Sequence, residues 1–390
     1  MADNFYGNGV NSSAGENTIK HFYDRAGIKA ATEVNIYGQW ASRKEMPLNM
    51  GKTFKISKFL HMYDREEGTA DFEKYGYLTS RNVADVTSGL PTLSEGAGAV
   101  NKRTLKKVTV ETSFARYGEM IDYTDEVEMF SEDIMQTRYR EELGRLANRR
   151  VEDLIQLDML GTGNVMYAGA ATSNSTLGDG LVADGSLDDA YRISFDLARK
   201  ASRKLVRNRA EKNTDIVSGS TKIDTKTINK AFYAIIGPEV KYDLESLTRG
   251  SGAAEEFAYI PAYKYASVAN LAEGEVGAMQ DVRFIESETA MVYRAAGAVV
   301  PASYAGTLSY SNDGTNDRFD VFPILFPTKG SFATVGLKGQ GKIKFTSKSP
   351  SDVSLTNPYG TTGFFAYNMF YAGIILDETK LLKVNVLASA

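Results

Sequence analysis

The sequence predicts an α+β protein organised in two or more lobes, because its strand-like and helical patterns occupy separate stretches of the chain. Its 390 residues exceed the length that a single core usually organises, and 43% of them are hydrophobic. The 35 glycines, 22 tyrosines and 19 phenylalanines are typical of many turns and of strands with aromatic packing. One long stretch of helical periodicity separates the strand-like segments.

The first part of the chain predicts an arm followed by two strands. Residues 1 to about 18 are small and polar, which indicates an arm that orders only against a partner. Apolar residues alternate in KTFKISKFLHMY (52–63) and again in LKKVTVETSFARYG (105–118), so each segment is predicted to be a strand. The segment from Asp64 to Lys107 is too long for a hairpin turn, and connections of this length are usually functional or disordered.

The longest helix is predicted from Glu132 to Leu160. Ser131 is a suitable N-cap and Gly161 a suitable stop, with no proline between them. We interpret this helix as a structural spine; the alternative is a coiled-coil or bundle helix. The predicted buried stripe follows spacings of three and four: Met135, Tyr139, Leu143, Leu146, Arg150, Leu154 and Leu157.

After a loop rich in small residues, the pattern predicts a compact α/β lobe. The segment SFDLARKASRKLVRNRA predicts a basic helix, whose cations face either nucleic acid or, as the favoured interpretation, solvent. In KAFYAIIGPEVKYDLESL a buried strand (231–236) leads through Gly237 into a helix that Pro238 opens. Further strands are predicted at DVRFIES, RFDVFPILF, GKIKFTS and FAYNMFYAGIIL.

Catalytic and cofactor chemistry has few candidate residues. The chain has no cysteine and two histidines, His21 and His61, which leaves no thiol nucleophile and no recognisable metal site. The stretch GLKGQGKI has the G-x-x-x-x-G-K spacing of a phosphate-binding loop, but Ile343 replaces the required hydroxyl and a strand pattern follows. We therefore expect a glycine-rich turn there, no catalytic residues, no metal, no cofactor and no enzymatic activity.

Charge and hydropathy narrow the possible partners. A net charge of −4 provides no overall field that would attract nucleic acid. We see no apolar run of about 18 residues and no basic-then-apolar leader, so we expect a soluble protein made in the cytoplasm without a membrane partner.

The order of elements resembles that of the major capsid proteins of short-tailed, schitovirus-type bacteriophages. The resemblance covers nearly the whole chain and includes no catalytic signature. Residues 69–88 and 294–316 match least well. Seven stretches carry the resemblance: NIYGQWASRKEMPLNMGKTFKISKF, PTLSEGAGAVN, YGEMIDYTDEVEMFSEDIM, LDMLGTGNVMYAGA, YAIIGPEVKYDL, FATVGLKGQGKIKF and AYNMFYAGIIL.

This resemblance implies the tailed-phage major capsid fold of the Hong Kong phage type. Its implied parts are an N-terminal arm (1–40), an extended loop with its strands (41–121), the spine helix of a peripheral domain (122–162), an axial domain (163–298) and return strands of the peripheral domain with the C-terminus (299–390). The implied function is a structural subunit that self-assembles, as hexamers and pentamers, into the icosahedral shell around phage double-stranded DNA.

Implied partners are portal, scaffolding and decoration proteins, together with weakly contacted DNA. The implied location is the virion, after assembly in the host bacterial cytoplasm. A tail-tube or surface-layer protein is the alternative among self-assembling proteins, and an enzyme is the third choice.

Charge on the extended loop predicts contacts between subunits. Its outgoing side is acidic and its returning side is basic. If these charges pair within one loop, they stiffen a hairpin, and each exposed pair stabilises it by only about 0–1 kcal/mol. If the basic side instead contacts a neighbouring subunit, the charges join subunits. The candidate contact residues are Asp64, Glu66, Glu67, Lys102, Arg103, Lys106 and Lys107.

Overall fold

The computed structural model of the protein describes most of the chain after its first 34 residues. The described residues are 35–59, 83, 92–93, 95–96, 105, 107–130, 135–217, 225–249, 256–257, 260–262, 271–338, 343–352 and 357–390. Helices and strands are both present, and the strands form two main sheets.

The smaller main sheet has five strands: β1 (Ser42–Met46), β4 (Ala115–Thr124), β16 (Phe332–Leu337), β17 (Ile343–Lys348) and β18 (Thr362–Ile375). Strand β18 has 14 residues and is the centre of the sheet. β4 and β17 pair along its opposite edges, β16 pairs with its last four residues, and β1 runs parallel to β16. The stretch GLKGQGKI (336–343) lies between two strands that both pair with β18, and the predicted strand begins at Ile343. The predicted turn at 339–342 lies outside the described residues.

Helix α2 (Met135–Leu160) crosses this sheet and follows a short helix α1 (Asp125–Phe130). The predicted spine is confirmed over the described part, but its buried face differs from the prediction beyond Leu143. The buried apolar residues recur at exact intervals of four, whereas Arg150 and Leu157 are exposed. The observed buried series is Leu143, Ala147, Val151, Ile155 and Met159.

The segment 105–118, predicted as one strand, belongs to two strands in different sheets. β3 (Lys107–Ser113) pairs only with β2 (Thr53–Phe59), forming a two-stranded ribbon, and the chain then continues as β4. Phe114, at the break, is 4% exposed and packs between the ribbon and the smaller sheet. Burial of this side chain explains the change of direction within an unbroken alternating pattern.

The larger sheet has eight strands. They are β5 (Val165–Tyr167), β6 (Asn213–Val217), β7 (Thr225–Ile236), β10 (Ile260–Pro261), β11 (Glu275–Met279), β12 (Val282–Glu286), β15 (Phe322–Phe326) and β19 (Leu382–Val386). Their order in the sheet is β10, β11, β12, β7, β15, β19, β5, and β6 also pairs with β7. The pairs β12–β7 and β19–β5 are parallel, and the other pairs are antiparallel.

Two helices pack in this lobe, as the sequence predicts. α3 (Phe195–Arg207) begins where the Ser194 hydroxyl accepts a hydrogen bond from the Leu197 amide, and it buries its apolar face in the lobe's core. α4 (Pro238–Glu245) follows β7 directly, with proline at its first position. Small hairpins complete the lobe: β8 (Thr248–Arg249) with β9 (Glu256–Phe257), and β13 (Tyr310–Asn312) with β14 (Asp317–Phe319).

The chain topology links the two main sheets. β15 and β19, from the last part of the chain, complete the sheet built by residues of the predicted axial segment. The core around α2 contains buried residues of both sheets, including Tyr233 of β7 and Phe332 of β16. In the part of the chain that the structure describes, no helix combines the length and apolar character needed to cross a membrane.

Candidate assembly surfaces

The β2–β3 ribbon has one polar and one apolar face. On the polar face, Lys55 Nζ lies 2.7 Å from Glu111 Oε2, and the hydroxyls of Ser57 and Thr109 lie 3.1 Å apart. Both members of the ion pair are about 60% exposed, so it adds little stability. The opposite face is half-buried and consists of Phe54, Ile56, Val108 and Val110.

Within the subunit, only the part of this apolar face that lies next to the smaller sheet, its base, is covered. Phe54 and Val110 pack against a cluster that includes Phe114, Ala372 and Ile374. Ile56 and Val108 lie outside that cluster and remain half-buried. Lys58 Nζ, near the far end, lies 3.3 Å from Asp377 Oδ2 and ties the ribbon to the end of β18.

An isolated two-stranded ribbon is marginally stable in water. The uncovered part of the apolar face therefore favours contact with another molecule.

The smaller sheet also has an incompletely covered face. Helix α2 buries Phe365, Tyr367 and Met369 on one side of β18. The alternate residues point to the other side, where the ribbon covers Ala372 and Ile374 only. The remainder, called the outer face here, carries the apolar residues Phe364, Ala366, Phe370 and, on β4, Met120. The Arg116 guanidinium lies 5.6 Å from the centroid of the Phe370 ring, which covers part of that side chain. Met120 is 69% exposed, which is unusual for a sheet residue of this size.

Large apolar side chains are also exposed around helix α1. Met129 and Phe130 are 73% and 84% exposed, and Tyr359 is 89% exposed. The Asp125 amide donates to the Thr361 carbonyl at 3.0 Å, which places α1 beside the turn that carries Tyr359. Exposed apolar groups close together mark association surfaces in soluble proteins.

Two polar contacts, one part-buried and one exposed, hold α2 against the smaller sheet. The Tyr371 hydroxyl donates to Asp158 Oδ2 at 2.8 Å, and Arg150 Nε donates to Glu119 Oε1 at 2.9 Å. Burial raises the pKa of Asp158, and the hydrogen bond from Tyr371 opposes that shift. Burial, with the neighbouring Asp158 charge, also raises the pKa of Tyr371, so the hydroxyl keeps its proton and is the donor in this contact.

No cluster of metal-binding side chains appears in the described parts of the chain. There, no group of three or more histidine, aspartate or glutamate side chains is placed to hold a metal ion. His21 and His61 lie outside those parts.

A phage capsid protein is similar to this chain along nearly its whole length. The chain is 29% identical, over 396 aligned positions, to the major capsid protein of Pseudomonas phage KPP21, covering 97% of this chain and 95% of the relative. No protein-family model matches the chain.

Solved structures show that the chain has the tailed-phage capsid fold. The capsid of Ralstonia phage GP4 aligns with a TM-score of 0.57 at 12% identity, over 98% of this chain and 99% of the other. The acid-stable capsid of Helicobacter pylori bacteriophage KHP30 aligns with a TM-score of 0.54 at 9% identity, over 99% of each chain.

Of the sequence-predicted contact residues, the structure describes only Lys107. It is the exposed first residue of β3, opposite Phe59 of β2. The others lie outside the described residues, so their pairing stays a prediction: Asp64, Glu66, Glu67, Lys102, Arg103 and Lys106.

Sequence reasoning missed the outer face and the exposed side chains of α1. A signal was present in FFAYNMFYAGII, since apolar residues occupy both sets of alternate positions of β18. A strand with two apolar faces needs cover on both sides.

Proposed function

We propose that this chain is a phage major capsid protein that assembles with copies of itself, as hexamers and pentamers, into the icosahedral shell that encloses phage double-stranded DNA. The observation that carries the proposal is the end-to-end match to a phage major capsid protein. Incomplete cover of the ribbon and of the outer face supports it, because each surface offers apolar area to a neighbour.

The proposal includes a location, partners and a division into domains. We infer that the subunit assembles in the host bacterial cytoplasm and resides in the virion, with portal, scaffolding and decoration proteins as partners. The division into arm, extended loop, spine helix, axial domain and return strands belongs to the same proposal. We also infer that the subunit has no enzymatic activity, since its role is structural.

Microscopy of the purified full-length protein tests this function. Closed shells in negative stain, sedimenting as large uniform particles, are the expected result. Tubes would indicate the tail-tube alternative. A protein that stays monomeric even when a scaffolding protein is added would refute self-assembly. Nucleotide hydrolysis that is lost in Lys342→Ala would contradict the structural role.

A paired set of variants tests the ribbon as an assembly surface. Ile56→Asn with Val108→Asn makes the uncovered apolar face polar while leaving Phe54 and Val110 at the base. We expect a folded subunit that no longer forms shells, because the neighbour would lose its apolar contact. The matched control, Ser57→Asn with Thr109→Asn on the polar face, should still assemble.

A further inference from the structure

Helix α3 carries a cationic groove that the shell function does not explain. The groove has a volume of about 550 Å³ and lies between α3 and the segment around β5. Four cations line it, Lys200, Arg203, Lys204 and Arg207, and none of its lining residues is acidic. Such a lining attracts anions, because cationic side chains and no acidic ones face the groove.

A second groove, of about 520 Å³, lies on the other side of the same basic residues. It shares Lys200, Arg203 and Arg207 with the first groove and has Asp196 and Asp281 at its edge. Both carboxylates already have cationic partners outside the shared set. Asp196 lies 3.6 Å from Arg199, and Asp281 lies 3.1 Å from Lys212.

Two of the shared cations, Lys200 and Arg203, make no ion pair with a described carboxylate of the subunit. Lys200 and Arg203 are exposed, and within the described chain no carboxylate lies within 4.0 Å of either. Lys204 and Arg207 lie in the last turn of α3, where cations stabilise the negative end of the helix dipole. Lys200 and Arg203 precede that turn, so the dipole does not account for them.

The spacing of these cations suits a chain of phosphates. Lys200, Arg203 and Arg207 lie on one side of the helix and span about 10 Å. Along the axis of a DNA duplex, that length corresponds to roughly three phosphates of one strand, which follow one another about every 3.4 Å. We propose that this groove binds successive phosphate groups, supplied either by a nucleic-acid backbone or by a soluble polyphosphate.

Binding of labelled ligands to the full-length, unassembled subunit tests the proposal. Fluorescence anisotropy with a duplex DNA and with tripolyphosphate as competitor should be recorded across a salt series. We expect Lys200→Gln with Arg203→Gln to weaken binding on the order of tenfold and to reduce the slope of log affinity against log salt by roughly two. Lys52→Gln with Lys344→Gln removes two exposed cations from other elements and should leave both values unchanged.

The competition separates the two sources of phosphate. Displacement of DNA only by other nucleic acids assigns the groove to a polynucleotide backbone. Displacement by tripolyphosphate at equal phosphate concentration assigns it to a soluble anion. Unchanged affinity and salt slope in the Lys200, Arg203 variant would overturn the proposal. Shell assembly by that variant is expected to be normal; lost assembly with unchanged anion affinity would show that these cations contact a neighbouring subunit instead.

Discussion

The carboxylate of Glu152, in the middle of helix α2, accepts hydrogen bonds from the backbone amides of Tyr37 and Gly38. These amides belong to a short 3₁₀ turn, and Glu152 lies 114 and 115 residues further along the chain. Glu152 is 5% exposed, so no water competes for the contact. The neighbouring Trp40 packs on Tyr233 with ring centroids 4.6 Å apart. One carboxylate therefore fixes the beginning of the described chain to the junction of helix and sheets.

Glu152→Ala should lower the free energy of unfolding by about 2–3 kcal/mol, because two buried amides lose a charged acceptor. Trp40 is the only tryptophan in the chain and lies in this junction, so its fluorescence during urea unfolding of the unassembled subunit reports the change directly. Glu142→Ala, at an exposed position of the same helix, serves as control and should change stability by less than about 0.5 kcal/mol. Equal stability of both variants would contradict the anchoring role.

The buried face of α2 gives a second test. Ile155 is 1% exposed and Leu157 is 53% exposed, although both are aliphatic and only two positions apart. Ile155→Ala should cost about 2–5 kcal/mol through lost burial and a cavity. Leu157→Ala should cost less than about 0.5 kcal/mol in the unassembled subunit. The midpoints of urea unfolding measure both losses of stability. A large loss of stability in Leu157→Ala would support the buried face that the sequence predicts over the one that the structure shows.

The same helix shows what the sequence could and could not predict. Its existence follows from local signals, namely helical periodicity and the absence of proline, and Gly237 with Pro238 predicts the start of α4 for the same reason. The buried face does not follow, because Glu152 and Gln156 are polar and become buried only by contact with distant backbone and side chains. Such partners, more than 100 residues away, leave no local pattern.

The assembly surfaces show a related limit. The alternation in residues 105–118 is continuous, yet Phe114 separates two strands that pair with different partners. Which strand pairs with which is set by tertiary packing, so periodicity predicted the strands and not the ribbon. Sequence patterns do not reveal the outer face, because the same apolar residue types occur at exposed positions of this face and at positions in the core.

The Asp158–Tyr371 contact predicts a dependence of stability on pH. Burial raises the pKa of Asp158 in the folded state above its unfolded value. The stability that this group contributes is therefore fully present below the unfolded pKa, about 3.9. It is lost as the pH rises through the folded-state pKa. Asp158→Asn should remove that loss, so the variant should be less sensitive to pH in the acid range. Unfolding free energies measured at intervals between pH 3.5 and 7 test this.

Tyr371→Phe should make the stability of the subunit more sensitive to pH, whereas Asp158→Asn should make it less sensitive. The hydroxyl stabilises the ionised carboxylate, so its removal should raise the pKa of Asp158 further and extend the pH range of the loss upward. At pH 7 the variant should be less stable by about 1.5–3 kcal/mol, because a buried carboxylate loses its donor. Gly373 leaves room for this pair, since a Cβ there would collide with Asp158 Oδ2. Glu141→Gln, exposed on α2, should leave the pH profile unchanged.

The charges of the extended loop give the last prediction, which rests on the proposed shell. Lys107 is exposed at the end of the ribbon, beside Phe59, which is 61% exposed. If the basic side of the loop meets a neighbouring subunit, its reversal to glutamate places like charges in every copy of the interface. The reversed residues are Lys102, Arg103, Lys106 and Lys107.

This variant should keep its circular dichroism spectrum and sediment as small oligomers. Wild-type assembly should weaken as salt shortens the screening length below about 8–10 Å. Additional reversal of Asp64, Glu66 and Glu67 to lysine should partly restore shells if the two sides meet each other across the interface. Full assembly of the basic-side variant at low salt would show that these charges face solvent. The loop would then be held by its backbone and by apolar residues such as Ile56 and Val108, which the paired asparagine variants test independently.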